Sequence, residues 1–171
     1  MTLLFKNARL IDPENGERSG AVVIEDGRIA QILEDKETLP NSVRTIDCGY
    51  KCLAPGIVDI GVKVCEPGER HKESFRTAGE AAAAGGVTTI VVRPDTEPAV
   101  DSPETLQFAL QRAVDVSKVN VLPMAALTKD RAGKEMAEIG FLMDAGAVAF
   151  TDCDFVNRDN KIFRRCLSYA R

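Results

Sequence analysis

The sequence predicts an α/β fold in two parts, a short all-β segment followed by alternating strands and helices. Residues 1–53 contain short apolar runs separated by the turn-forming stretches PENGERSG and EDGR, which is typical of strands joined by tight turns. Residues 54–171 alternate buried apolar runs with amphipathic stretches. This alternation indicates a parallel sheet with helical crossovers, because parallel strands cannot be joined by a tight turn.

The composition is that of a globular protein, and it argues against two classes of partner, nucleic acids and membranes. The 171 residues carry a net charge of -4, with 44% hydrophobic and 28% charged residues. An acidic chain without runs of Lys or Arg does not suit a nucleic-acid backbone. The sequence has no apolar stretch long enough to cross a bilayer, and its N-terminus becomes polar too early for a secretory signal. We therefore expect a cytoplasmic protein with neither a nucleic-acid nor a membrane partner.

The all-β segment contains three apolar runs, which start near residues 3, 21 and 43. Asp26-Gly27 interrupts the second run and predicts a tight hairpin. The chain has five cysteines at scattered spacings and a single histidine, His71. An odd number of scattered cysteines predicts reduced thiols rather than a disulfide framework.

Four strand–helix units follow. Strands are predicted at 57–64, 87–94, 119–127 and 147–152, and helices at 72–86, 102–117, 133–146 and 160–171. The first strand, IVDIGVKV, is apolar almost throughout, which predicts burial on both faces. Ser102 is the expected N-cap of the second helix, with Pro103 in its first turn.

Four such units fit either a small open sheet or half of an eight-stranded barrel. The last predicted helix runs to Arg171 with no C-cap and no following strand. We therefore expect the chain to be a fragment of a longer protein. Half a barrel would leave a sheet edge uncovered, so its first partner would be the remainder of its own barrel.

The stretch APGIVDIGVKVCEPGERHKESFRTAGEAAAAGGVTTIVVRPDTEPAVDS, residues 54–101, resembles the dihydroorotase family of the amidohydrolase superfamily. Glu66-Pro67-Gly68 and the segment 81–89 carry the resemblance, and it extends over 121–153 and over the N-terminal segment. It implies a (β/α)8 TIM barrel. Residues 1–53 would form a composite β-sandwich segment, and residues 54–171 the first half of the barrel.

The family uses two histidines, one residue apart on the first strand, to hold zinc. The metal lowers the pKa of a bound water, which then hydrolyses a cyclic amide. The corresponding positions here are Gly61 and Lys63. Glycine has no ligand atom and an ammonium has no lone pair, so we predict no metal site, no cofactor and no catalytic residue in this chain.

Two further family positions bind the substrate carboxylate, through an arginine and an asparagine. Here they are Cys65 and Asp95. A thiol cannot form the bidentate grip of a guanidinium, and an ionised carboxylate would repel an anionic substrate. We therefore regard both as vestigial substrate-binding positions.

The resemblance also places an acid near the metals at Asp152. This residue can be a structural loop acid, or it can pair with the Lys63 ammonium in place of the lost metal. The segment His71–Glu73 is expected to open the first helix.

Three interpretations remain. The first is a non-catalytic, dihydroorotase-like protein of pyrimidine biosynthesis that forms an oligomer with aspartate transcarbamoylase, a partner implied by the resemblance alone. The second is an active metal-dependent cyclic amidohydrolase whose ligands come from a missing C-terminal half. The third is an unrelated small α/β binding module.

Overall fold

The computed structural model describes residues 2–34 and 44–170. The chain divides into two compact units, Met1–Pro55 and Gly56–Arg171. The division falls two residues beyond the boundary expected from the sequence. Within the described ranges, no helix is both long enough and apolar enough to cross a bilayer.

The first unit contains one five-stranded sheet. Its strands are β1 (Thr2–Asp12), β2 (Gly16–Glu25), β3 (Arg28–Glu34), β4 (Arg44–Asp47) and β5 (Cys52–Leu53). The order is β3-β2-β1-β4, and β5 also pairs with β1. Asp26-Gly27 joins β2 to β3 with positive φ at both residues, as the predicted hairpin requires. The described strands of this unit form a single sheet, so the two-layer sandwich stays a prediction.

A β-bulge lets β1 bury side chains on both faces of this sheet. Its pairing with β2 shifts between Phe5 and Ala8, where β1 has one residue more than its partner. Leu4 therefore packs with one buried cluster, while Ala8 packs with another. Because side chains alternate along a strand, the extra residue exchanges the faces.

The second unit is an α/β fold with a parallel sheet. Its strands are β6 (Ile57–Val62), β7 (Val87–Val92), β8 (Asn120–Ala125) and β9 (Ala149–Phe150), in the order β6-β7-β8-β9. Its helices are α1 (Phe75–Ala84), α2 (Pro103–Val116), α3 (Ile139–Asp144) and α4 (Asn160–Tyr169). Each strand lies beside the previous one with a crossover between them, which is the winding of a half-barrel.

The helix starts follow their caps. Ser102 accepts a hydrogen bond from the Thr105 amide, which confirms the predicted cap of α2. The expected opening of α1 at His71–Glu73 is wrong, because Ser74 caps α1 and the helix starts at Phe75. The third helix is also shorter than expected, since residues 133–138 form a non-helical segment of bends in which Met136 forms a bridge with Thr128.

The core lies between the sheet and its helices. Phe75 of α1 and Ala109 of α2 pack with Ile90 of β7, while Leu106 and Leu142 centre a second cluster. The first strand departs from expectation. Ile57 and Ile60 of β6 are 56% and 71% exposed, so the predicted burial on both faces is wrong for this chain. The physical reason is that β6 lies at the edge of its sheet, where it pairs only with β7 among the described strands.

Helix α2 provides a matched test of this packing. Leu106 is fully buried, whereas Val114 on the same helix is 79% exposed. Leu106→Ala is expected to lower the free energy of unfolding by about 2–5 kcal/mol through lost burial and a residual cavity. Val114→Ala should change it by less than about 0.5 kcal/mol. Chemical denaturation of both variants checks this, and similar losses in the two would contradict the packing described.

Candidate functional site

Charged side chains gather where the parallel strands end. Lys63 directly follows β6, Arg93 and Asp95 follow β7, and Asp154 follows β9. The carboxyl ends of parallel strands share one edge of the sheet, and ligand sites of α/β folds form there. This edge is therefore the candidate site.

The backbone at Gly61 departs from a regular strand. Ile60 pairs with Val91 and Val62 pairs with Val92, so Gly61 is an extra residue in β6. Its φ is +93°, a conformation that L-residues rarely adopt. The regular alternation that would orient residues 61 and 63 in the same direction is thus interrupted. The first family metal position lacks a ligand atom, and its backbone disfavours any side chain.

Lys63 forms an ion pair with Asp95. Its Nζ lies 3.1 Å from Asp95 Oδ2, and the Asp95 side chain is only 3% exposed. The hydrogen bond to Asp95 and the charge of that carboxylate raise the pKa of Lys63 above its ordinary value. Lys63 is therefore an ammonium at neutral pH and offers no lone pair to a metal.

Arg93 extends this pair into a network. Its Nη2 lies 2.9 Å from Asp95 Oδ2 and 2.8 Å from Asp154 Oδ2. The hydrogen bond to Asp154 is the main cause that raises the pKa of Arg93. We call Lys63, Asp95, Arg93 and Asp154 the mouth network. Its two cations and two carboxylates neutralise one another.

Asp152 takes no part in the mouth network. Its Oδ1 accepts hydrogen bonds from the amides of Leu127, at 3.0 Å, and Thr128, at 2.9 Å. Its Oδ2 accepts one from the Thr128 hydroxyl at 2.7 Å. The hypothesis that Asp152 pairs with Lys63 is wrong, because these three donors already satisfy the buried carboxylate while Lys63 pairs with Asp95. Asp152 is a structural acid that fixes the loop after β8.

Cys65 is 8% exposed and lines a pocket next to Lys63 and Asp95. The neighbouring Glu66 is also buried. Its carboxylate accepts from the Phe75 amide at 3.0 Å and from Arg112 Nε at 2.8 Å. Glu66 therefore joins the segment after β6 to the start of α1 and to α2.

Several of these partners were not predicted from the sequence. Arg93 could have been recognised, because it stands two residues before Asp95 in RPD, where the side chains are able to meet. Asp154 lies 61 residues from Arg93, and Arg112 lies 46 residues from Glu66. No local pattern links positions so far apart.

The residues at the mouth do not fit the zinc that the resemblance implies. Gly61 has no side-chain atom that could bind a metal, and the Lys63 ammonium forms an ion pair with Asp95. Across the described ranges, no three His, Cys, Asp or Glu side chains meet in a group able to hold a metal ion. The described residues of this chain therefore do not supply a zinc site by themselves.

Comparison with known families identifies the family of this chain. The family model described as dihydro-orotase-like matches residues 50–163. The chain belongs to the dihydroorotase-like family. Relatives named dihydroorotase include one from Syntrophus aciditrophicus, 38% identical over 99% of this chain, and one from Streptococcus pneumoniae, 39% identical over 99%. The chain spans 40% of the length of each.

Solved structures agree on the fold. L-hydantoinase from Arthrobacter aurescens is 30% identical, with a TM-score of 0.74 over 86% of this chain and 32% of its own. A D-hydantoinase has a TM-score of 0.77 over 99% of this chain and 37% of its own, at 24% identity, and shows the fold alone. The interpretation as an unrelated α/β module is therefore wrong.

The structural role of Asp152 can be tested against a neighbouring acid. Asp152→Ala leaves two amides and a hydroxyl without their acceptor, and should lower the free energy of unfolding by about 2–4 kcal/mol. Asp154 is 80% exposed, so Asp154→Ala should cost less than about 1 kcal/mol. Denaturation of the full-length protein measures both. Equal losses would show that Asp152 does not fix the loop.

Proposed function

We propose that this dihydroorotase-like chain is not a hydrolase and acts in the cytoplasm as a structural partner of aspartate transcarbamoylase in pyrimidine biosynthesis. The observation that carries the proposal is the ion pair between Lys63 and Asp95. It occupies positions where the family has a metal ligand and a substrate-binding residue. The fold is retained, while the chemistry at the mouth is replaced.

A divalent metal would have to compete with charges that are already fixed there. Lys63 and Arg93 both lie within 3.1 Å of the same Asp95 oxygen. Adding a dication beside two side-chain cations is unfavourable, because the low dielectric of a partly buried site strengthens their repulsion. Moving either cation away would leave the buried Asp95 carboxylate short of a partner, which is also costly.

The proposal includes a loss of substrate binding. Cys65 offers a buried thiol where the family has an arginine. Asp95 brings a negative charge to the position of an asparagine. An anionic substrate would meet neither a guanidinium fork nor an amide donor at these positions.

The surface of the second unit supports a partner for its sheet edge, whereas the transcarbamoylase is implied by the family resemblance alone. Strand β6 has exposed apolar side chains and, among the described strands, pairs only with β7. An uncovered edge of this kind recruits another strand or another chain. We propose that the remainder of the barrel covers it, and that the completed protein forms an oligomer with the transcarbamoylase.

The alternative is an active cyclic amidohydrolase. Its support is that the relatives reported above are named dihydroorotase and are 38–39% identical to this chain. In that case, ligands from outside these 171 residues would hold the metal without Gly61 and Lys63.

Metal content and turnover discriminate between these proposals. We expect the full-length protein, purified without chelators, to contain no zinc above background by mass spectrometry. It should also leave dihydroorotate hydrolysis at the uncatalysed rate, and a tagged copy should retain aspartate transcarbamoylase on affinity purification. Stoichiometric zinc with turnover would favour the amidohydrolase. Recovery of the protein without the transcarbamoylase would contradict the partnership.

Restoring the family side chains tests whether only two ligands were lost. We expect Gly61→His combined with Lys63→His to bind no zinc, because Arg93 stays at the mouth and residue 61 keeps a strained backbone. The positive φ should also cost about 1–2 kcal/mol of stability. Lys63→His alone keeps Gly61 and is therefore the matched control for the cost of backbone strain at residue 61. Stoichiometric zinc in the double variant, measured by calorimetry, would show that the network does not exclude the metal.

A further inference from the structure

A pocket of about 340 Å³ opens beside the mouth network. Its lining comes from the segments after β6 and β7 and from the short 3-10 helix Lys129–Arg131. The charged lining residues are Lys63, Glu69, Asp95, Glu97 and Arg131, and Cys65 and Thr96 also line the pocket. The volume is near the lower end of small-molecule sites, roughly 300–1,000 Å³.

Most charges of this pocket are already paired. Lys63 pairs with Asp95, and Glu69 pairs with Lys72. Arg131 has no carboxylate within 4.0 Å in residues 2–34 and 44–170, and within the same ranges Glu97 has no cationic partner. The pocket therefore offers one uncompensated cation and one uncompensated anion.

Arg131 is held in position without a counter-ion. Its guanidinium carbon lies 5.1 Å from the centre of the Phe155 ring, a cation–π contact that limits its motion. Its Nε is buried and has no hydrogen-bond partner among the described residues. A buried donor without an acceptor is costly, so the site gains free energy when an acceptor arrives.

Asp95 has a complementary defect. Lys63 and Arg93 both contact its Oδ2, while its Oδ1 is buried and lacks a partner in the described part of the chain. The same pocket is therefore lined by a side chain short of an acceptor, Arg131, and by one short of a donor, Asp95.

We propose that this pocket binds a small zwitterion of the α-amino acid type. The ligand carboxylate pairs with Arg131, whose planar fork suits a carboxylate. The ligand ammonium pairs with Glu97, the lining carboxylate that has no cationic partner in the described part of the chain, and lies beside Asp95. A plain anion would be repelled by Glu97, and a plain amine by Arg131. The inference does not depend on the absence of hydrolase activity.

Three probes of similar size separate the two charges. L-alanine carries both, propionate lacks the ammonium, and ethylamine lacks the carboxylate. Each is titrated into the full-length protein while the Nε–Hε resonance of Arg131 is followed by NMR. We expect saturable shifts with L-alanine, and binding at least about tenfold weaker for the other two, because each loses one charge-assisted contact.

Variants at both ends of the pocket complete the test. Arg131→Gln and Glu97→Gln should each weaken L-alanine binding about tenfold or more, measured by shifts of backbone amides in the lining. Glu97 is exposed, so its variant tests the site even if Arg131→Gln disturbs the loop. Lys134→Gln, at an exposed lysine outside the lining, should leave binding unchanged.

Several results would overturn the proposal. Propionate or ethylamine binding as tightly as L-alanine would mean that the pocket recognises a single charge. An absence of saturable shifts would mean that water alone satisfies Arg131 and Asp95. Unchanged affinity in Glu97→Gln and Arg131→Gln would place the bound molecule elsewhere.

Discussion

The charge balance at the carboxyl edge of the second unit's sheet centres on one shared oxygen. This is Oδ2 of Asp95, which contacts Lys63 and Arg93. A carboxylate that is 97% removed from solvent is costly unless it is paired. Two cations on one oxygen meet that need, and Asp154 balances the second cation. The mouth network is therefore neutral without a metal ion, and this neutrality is the basis of the proposal that this member of the dihydroorotase-like family is not a hydrolase.

The same contacts join parts of the chain that are far apart in sequence. Lys63 belongs to the segment after β6, Asp95 to the segment after β7, and Asp154 to the segment after β9. Two other carboxylates nearby also join separate segments of the chain. Glu66 joins α1 to α2, and Asp152 fixes the loop after β8. Charged groups at this edge thus serve structure, and the unsatisfied atoms of Asp95 and Arg131 are among the observations that support the proposed amino-acid site.

Much of the fold could be predicted from the sequence, because it depends on local signals. Apolar runs predicted the four parallel strands, and Ser102 predicted the start of α2. What could not be predicted depends on distant contacts or on local backbone geometry. The bulge at Gly61 is set by pairing with β7, the Asp152 partners by the loop after β8, and the exposure of Ile60 by an edge that periodicity cannot reveal.

The charge state of Lys63 tests the account most directly. Because Asp95 raises its pKa, the ammonium should persist above the ordinary lysine range near 10.5. The stability that the pair contributes should be present below that range and be lost as the pH rises through the raised value. An NMR pH titration of the Lys63 side chain in the full-length protein, repeated with zinc, should give a raised pKa that zinc does not change. A neutral, carbamylated or zinc-bound Lys63 nitrogen near pH 7 would contradict the account.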